Sequence, residues 1–118
     1  MEHAPATEIA SIQTALLAKF FRGFGDPIRL RILRLLLERG ELTVGQIADA
    51  TGEAQPKVSH HLACLRWCGY VFTRNEGRTT FNSVRDPLVV QMIELAAQLV
   101  AKSGKYIDAC QRIDEEAA

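Results

Sequence analysis

The chain has 118 residues, is 47% hydrophobic and carries 14 Lys or Arg against 14 Asp or Glu. That is enough to bury one modest core and too little for two independent domains, while a balanced charge neither requires nor excludes a polyanionic partner. No signal-like segment opens the sequence and no apolar run reaches the roughly 20 residues of a membrane span, so a cytoplasmic protein without membrane contact is expected; there, three cysteines argue against a disulfide framework.

Residues 1–8 read as frayed. Ile9, Ile12, Leu16 and Phe20 then recur at helical spacing, with Phe21 and Phe24 widening the apolar face of a first helix. Asp26 is placed to cap a second helix, Pro27 falls at its first position, and "IRLRILRLLLER" continues it to Gly40. Between Lys19 and Arg39 basic residues outnumber acidic ones by six to two, so the charge is basic locally although neutral overall. Thr43 can cap a short third helix, "VGQIADAT", which Gly52 ends. The connection "GEA" leads to a fourth, "QPKVSHHLACLRWCG", with Pro56 in its first turn and Gly69 just past its end. Two short helices joined through a glycine form a helix-turn-helix pattern.

After Gly69 the apolar period changes from 3.6 to 2. "YVFTR" and "RTTFNSV" flank the turn "NEG" and predict a β-hairpin, which directly after a helix-turn-helix forms a wing. Asp86 and Pro87 open a last helix through about Lys102, in which Gln91, Glu94 and Gln98 make one narrow polar strip. An apolar surface that wide needs a second contact, most simply a copy of itself beside the first helix. The expected protein is therefore mainly α with a β-hairpin wing, in the order α1-α2-α3-α4-β1-β2-α5, and a homodimer. Residues 1–104 are expected to form the winged-helix and dimerisation domain, and residues 105–118 a C-terminal tail.

On a wheel of the fourth helix, Val58, Leu62 and Leu65 define the core face, with His61 at its edge as a packing residue rather than a ligand. Pro56, Ser59, His60 and Ala63 point away, towards a major groove wide enough for an α-helix. Gln55 and His60 are suited to base edges, Ser59 and Lys57 to phosphates, and Arg78 at the wing tip to the minor groove or backbone of double-stranded DNA.

"DPIRLRILRLL", "LTVGQIADATGEAQPKVSHHLACLRWCGYV" and "NEGRTTFNSV" resemble the ArsR/SmtB family of metal-responsive winged-helix repressors, from about Ala15 to Val100. The resemblance implies operator binding by a metal-free dimer and no enzymatic activity. "LACLRWC" with a cysteine in the tail is similar to the branch represented by CmtR, cadmium and lead sensors whose site joins the recognition helix of one subunit to the tail of the other. Other sites of the family are absent: Thr43–Gly45 stands where one site needs Cys-x-Cys, no histidine follows His61, and no cysteine precedes Cys64.

Cys64 and Cys68 are four residues apart on a helix, so their Cβ atoms lie roughly 5 to 6 Å from one another and two thiolates can converge on one ion. Cys110 is the candidate third sulfur, and the resemblance favours its delivery from the partner. An all-thiolate site suits soft ions; the resemblance puts Cd(II) or Pb(II) first, with As(III) and Hg(II) also compatible. Trp67 either shields such a site or is simply exposed. Four other readings stand beside the sensor: Cys64 and Cys68 as plain packing residues, a persulfide or disulfide sensor, a metal-independent DNA-binding protein, and an interaction dimer that never meets DNA. Redox chemistry is disfavoured because the negative end of a helix raises the Cys68 thiol pKa. A thiol enzyme lacks any histidine–cysteine–acid constellation.

Overall fold

The computed structural model describes residues 11–117; the frayed segment and Ile9 lie outside them. Helices α1 (Thr14–Phe24), α2 (Pro27–Arg39), α3 (Val44–Thr51) and α4 (Gln55–Trp67) precede strands β1 (Phe72–Glu76) and β2 (Thr79–Ser83), and α5 (Pro87–Asp108) and α6 (Gln111–Ala117) follow. The chain divides into two compact units, the first ending at Val84 and the second starting at Arg85. No helix among the described residues is long and apolar enough to cross a membrane.

The expected caps set the starts of α2 and α3. Asp26 Oδ1 accepts from the backbone N–H groups of Ile28 at 2.8 Å and Arg29 at 3.1 Å, with Pro27 at the first helical position where no N–H is needed. Burial works against the Asp26 charge, but the Arg29 N–H, nearby His61 and the Ile28 N–H outweigh it and hold the carboxyl below its ordinary pKa. The cap therefore stabilises the fold above the unfolded carboxyl pKa and is lost as pH falls through the lower folded value. Asp26→Ala is expected to cost about 1 kcal/mol, measured as a lower urea midpoint at unchanged m value near neutral pH. The gap between parent and variant should close in acid; a gap independent of pH would contradict the cap.

Thr43 and Gln46 form a reciprocal capping box at α3: Gln46 N–H donates to Thr43 Oγ1 and Thr43 N–H to Gln46 Oε1. Gly52 ends α3 with φ +74°, a left-handed conformation that costs glycine little. Thr51 Oγ1 donates to Ile47 O at 2.8 Å and accepts from Glu53 N–H at 3.3 Å, tying the turn that leads into α4. Ile32 and Leu33 of α2, Ile47 of α3 and Val58, Leu62 and Leu65 of α4 are fully enclosed and form the centre of this unit. Tyr70, just after α4, packs on α1, its ring centroid 4.5 Å from Phe24 and 5.6 Å from Phe20.

Three elements depart from expectation. α1 begins at Thr14, after an extended Gln13, so Ile12 precedes it although it fits the helical period. In the wing, β1 and β2 are antiparallel and Glu76 pairs with Thr79. The turn is thus Gly77–Arg78 rather than Asn75–Gly77; Gly77 has φ +61°, as a two-residue hairpin with glycine first requires. α5 continues past Lys102 to Asp108, because Ser103 and Gly104 only weaken a helix that no proline interrupts. The β-bridge of Leu42 to Asn82, with N–H···O distances of 3.0 and 2.8 Å in the two directions, was not expected. It fastens the segment before α3 to the wing.

Candidate functional site

α4 presents different chemistry on its several sides. Val58, His61, Leu62 and Leu65 are buried, and His61 Nδ1 accepts from Arg29 Nε at 3.2 Å. That packing role is the one expected for His61, and it pins α4 to α2. Gln55, Pro56, Lys57, Ser59 and His60 are exposed, whereas Ala63, expected on the same outward face, is half-buried. Gly45 of α3, having no Cβ, leaves room for the Gln55 amide, whose nitrogen is 3.4 Å from where a Cβ would stand. Lys57 makes a 3.4 Å ion pair with Glu53 one turn earlier while remaining half exposed. Ala54 offers no capping side chain, which leaves first-turn N–H groups of α4 unclaimed by a cap.

Arg78 occupies the wing tip and is exposed. Arg74 is committed elsewhere, with Nε 2.9 Å from Glu41 and Nη1 3.1 Å from Glu76, and its guanidinium lies over the Phe81 ring. Between α4 and the wing runs a groove of about 350 Å³ bounded by Ser59 and Arg66 on the helix and by Thr73, Thr80 and Asn82 on the strands. Ser59 was expected at a nucleic-acid surface; Arg66 was not assigned there, although a position two residues from each cysteine of the pair already places it across the helix from them.

The last turn of α4 brings Cys64 and Cys68 together, Cys64 half-buried and Cys68 exposed at the helix C-cap. Burial pushes the Cys68 thiol above its ordinary pKa, and Cys64 pushes it further by charge and by hydrogen bonding; Arg29 and Lys19 pull the other way. The direction is the one expected at a helix end, but the leading causes are burial and the neighbouring thiol. Burial and then the two thiols likewise push the Tyr70 hydroxyl up to about 12. Trp67 is 91% exposed in the single chain.

Cys110 belongs to the second unit, half-buried between α5 and α6, and its N–H donates to Ile107 O at 3.1 Å. Among the described residues no cluster of three or more His, Cys, Asp or Glu side chains able to hold a metal forms within one chain. Cys64 and Cys68 are thus two free thiols without a third donor beside them among the described residues, and sulfur donors are the kind that soft ions favour.

A capped helix-turn-helix with an exposed face on its second helix and a two-stranded wing beside it defines a winged-helix DNA-binding protein. Residues 26–73 match the family described as bacterial regulatory protein, arsR family. A probable mercury resistance operon repressor of Streptomyces lividans is 43% identical over 99 residues, 84% of this chain and 78% of its own. The transcriptional regulator CmtR of Mycobacterium tuberculosis is 36% identical over 89 residues, 75% of each chain. The homodimeric winged helix-turn-helix DNA-binding domain of a Mycobacterium bovis protein superposes with a TM-score of 0.67 at 29% identity, over 87% of this chain and 92% of that one. The chain belongs to the ArsR family. It is a transcriptional regulator and not an enzyme.

Proposed function

We propose that this protein is a cytoplasmic, homodimeric repressor that holds operator DNA when metal-free and lets go when a soft ion joins Cys64 and Cys68 to Cys110. The observation that carries the reading is the pairing of two thiols on the last turn of the helix that also presents Gln55, Lys57, Ser59 and His60. One rigid element then bears both the inducer half-site and the DNA face. Gln55 and His60 would read base edges, Lys57, Ser59 and the first-turn N–H groups would hold phosphates, and Arg78 would extend the contact from the wing.

The third sulfur comes from the partner's Cys110, an arrangement that the likeness to CmtR supports. A bound soft ion supplies the positive charge that stabilises thiolates at a helix C-terminus, where the backbone itself disfavours them. Clamping the last turn of α4 moves or stiffens the DNA face. By linkage, DNA weakens metal binding by the same factor that metal weakens DNA binding, a coupling of about 1 to 3 kcal/mol. Cd(II) and Pb(II) are the leading inducers; the likeness to a mercury resistance repressor supports Hg(II) beside them, and As(III) is the remaining thiophilic competitor.

The test titrates the dimer with Cd(II), Pb(II), Hg(II) and arsenite, following sulfur-to-metal charge-transfer absorption and, in parallel, release of a duplex selected by the metal-free protein from random sequences. The true inducer is expected to give both signals at the same stoichiometry. Binding of every ion without release of DNA would leave a metal-independent DNA-binding protein.

A further inference from the structure

We infer that the groove between α4 and the wing is a DNA phosphate site, with Arg66 as its cation and as the residue through which the thiol pair acts on DNA. The groove is lined by hydroxyls from both sides, Ser59 on α4 and Thr73 and Thr80 on the two strands, with Arg66 as its guanidinium. Among the described residues Arg66 makes no ion pair or side-chain hydrogen bond, in contrast to Arg74, which two glutamates hold, and Lys57, which Glu53 holds. Thr80 already gives its proton to Asn75 Oδ1 at 2.8 Å, so the free donors of the groove are the uncommitted guanidinium and the hydroxyls of Ser59 and Thr73; a phosphodiester is an acceptor-only ligand.

Asn82 lines the same groove, 2% exposed, and its Oδ1 has no partner among the described residues. The amide orientation is fixed: Nδ2 donates to Leu42 O at 3.1 Å, and a carbonyl can only accept, so Oδ1 is the atom left over. A buried acceptor without a donor is costly. Arg66 has donors enough to meet both Asn82 Oδ1 and a phosphate oxygen, so DNA binding that draws the guanidinium into the groove also satisfies this atom. A backbone strand lying between a major-groove helix and a wing tip would cross the protein at this place.

Arg66 lies two residues from both Cys64 and Cys68. At 100° per residue that spacing sets it on the far side of the last turn from the thiols. A rotation of the last turn of α4 that closes the thiol pair on an ion carries Arg66 relative to the wing. This part rests on the proposed metal-responsive function; the phosphate site itself does not.

The experiment uses the full-length dimer with Arg66→Gln and Arg66→Lys, the selected duplex and a mixed-sequence duplex, and fluorescence anisotropy over a range of salt. Arg66→Gln is expected to weaken both duplexes by a similar factor, about tenfold. It should also reduce the slope of log affinity against log salt by about 1 for each lost phosphate contact, hence by about 2 for a dimer. Arg66→Lys should recover most of the slope. Charge-transfer titration with Cd(II) should be unchanged in both variants, while the factor by which Cd(II) weakens DNA binding shrinks in Arg66→Gln. An unchanged slope and affinity would overturn the phosphate site. A reduced slope with a full Cd(II) effect would overturn the coupling role. A parent protein that Cd(II) never releases would instead sink the sensor reading and leave the phosphate site standing.

Discussion

Replacing Cys64 and Cys68 together by serine is expected to leave metal-free operator affinity within about threefold of the parent, because neither thiol is among the groups assigned to DNA. It should abolish inducer release. Loss of an outer-shell partner already costs a metal site about 10- to 100-fold, so loss of two directly bound sulfurs should exceed that. The parent's coupling of about 1 to 3 kcal/mol, a 5- to 150-fold loss of DNA affinity on metal loading, should fall to nothing. Cys110→Ser should lose the charge-transfer band as well. The decisive sample is a mixed dimer of the two variants, which keeps the thiol pair on one protomer and Cys110 on the other. If the site spans two subunits, that dimer regains one ion and half the parent absorbance. If it closes within one chain, the mixture stays silent and the cross-subunit arrangement is wrong.

The local physics of the fold could be read in advance, and the contacts between distant segments could not. Asp26 with Pro27, and Thr43 with Gln46, are caps whose donors and acceptors lie within three residues, so the spacing alone predicts them. The change of apolar period after Gly69 likewise announces the wing. The turn was misplaced by two residues because Asn75, Glu76 and Gly77 resemble a turn as strongly as Gly77 and Arg78 do; only the Glu76–Thr79 pairing decides the register. The last helix was expected to run only to about Lys102, yet a single glycine such as Gly104 costs about 1 kcal/mol against a long helix and does not end it.

The site divides in the same way. Two thiols four apart are a helical neighbour pair in any sequence, whereas the pinning of His61 by Arg29, 32 residues away, and the burial of Tyr70 against Phe20 and Phe24 depend on the assembled core. The unpartnered Asn82 oxygen exists only because Leu42 pairs with that residue across 40 positions. The Arg66 groove needs the helix and both strands in place before it has walls. What lies along α4 is therefore legible in its own thirteen residues, and what packs against α4 is not.

The subunit contact carries the other large expectation. Along α5, Leu88, Leu95, Leu99 and Tyr106 follow one another at intervals of seven, four and seven, the stripe that one helix presents to another. Leu95 is 60% and Leu99 62% exposed in the single chain, so neither completes the core of its own unit. The polar strip of Gln91, Glu94 and Gln98 runs on through Lys102 and Lys105, which leaves the leucine stripe as the face in need of cover. Burying each leucine in a dimer is worth about 1.5 to 3 kcal/mol, and a glutamate in its place would add an unpaired charge to the same surface. Leu95→Glu with Leu99→Glu is therefore expected to give a monomer in sedimentation with its helical circular dichroism largely retained. Operator affinity should fall about 10²- to 10⁴-fold, since two half-sites no longer bind as one unit. Metal release should disappear with it, because a lone chain has no partner's Cys110 to offer. A variant that remains a dimer and holds the operator as tightly as the parent would place the subunit contact elsewhere.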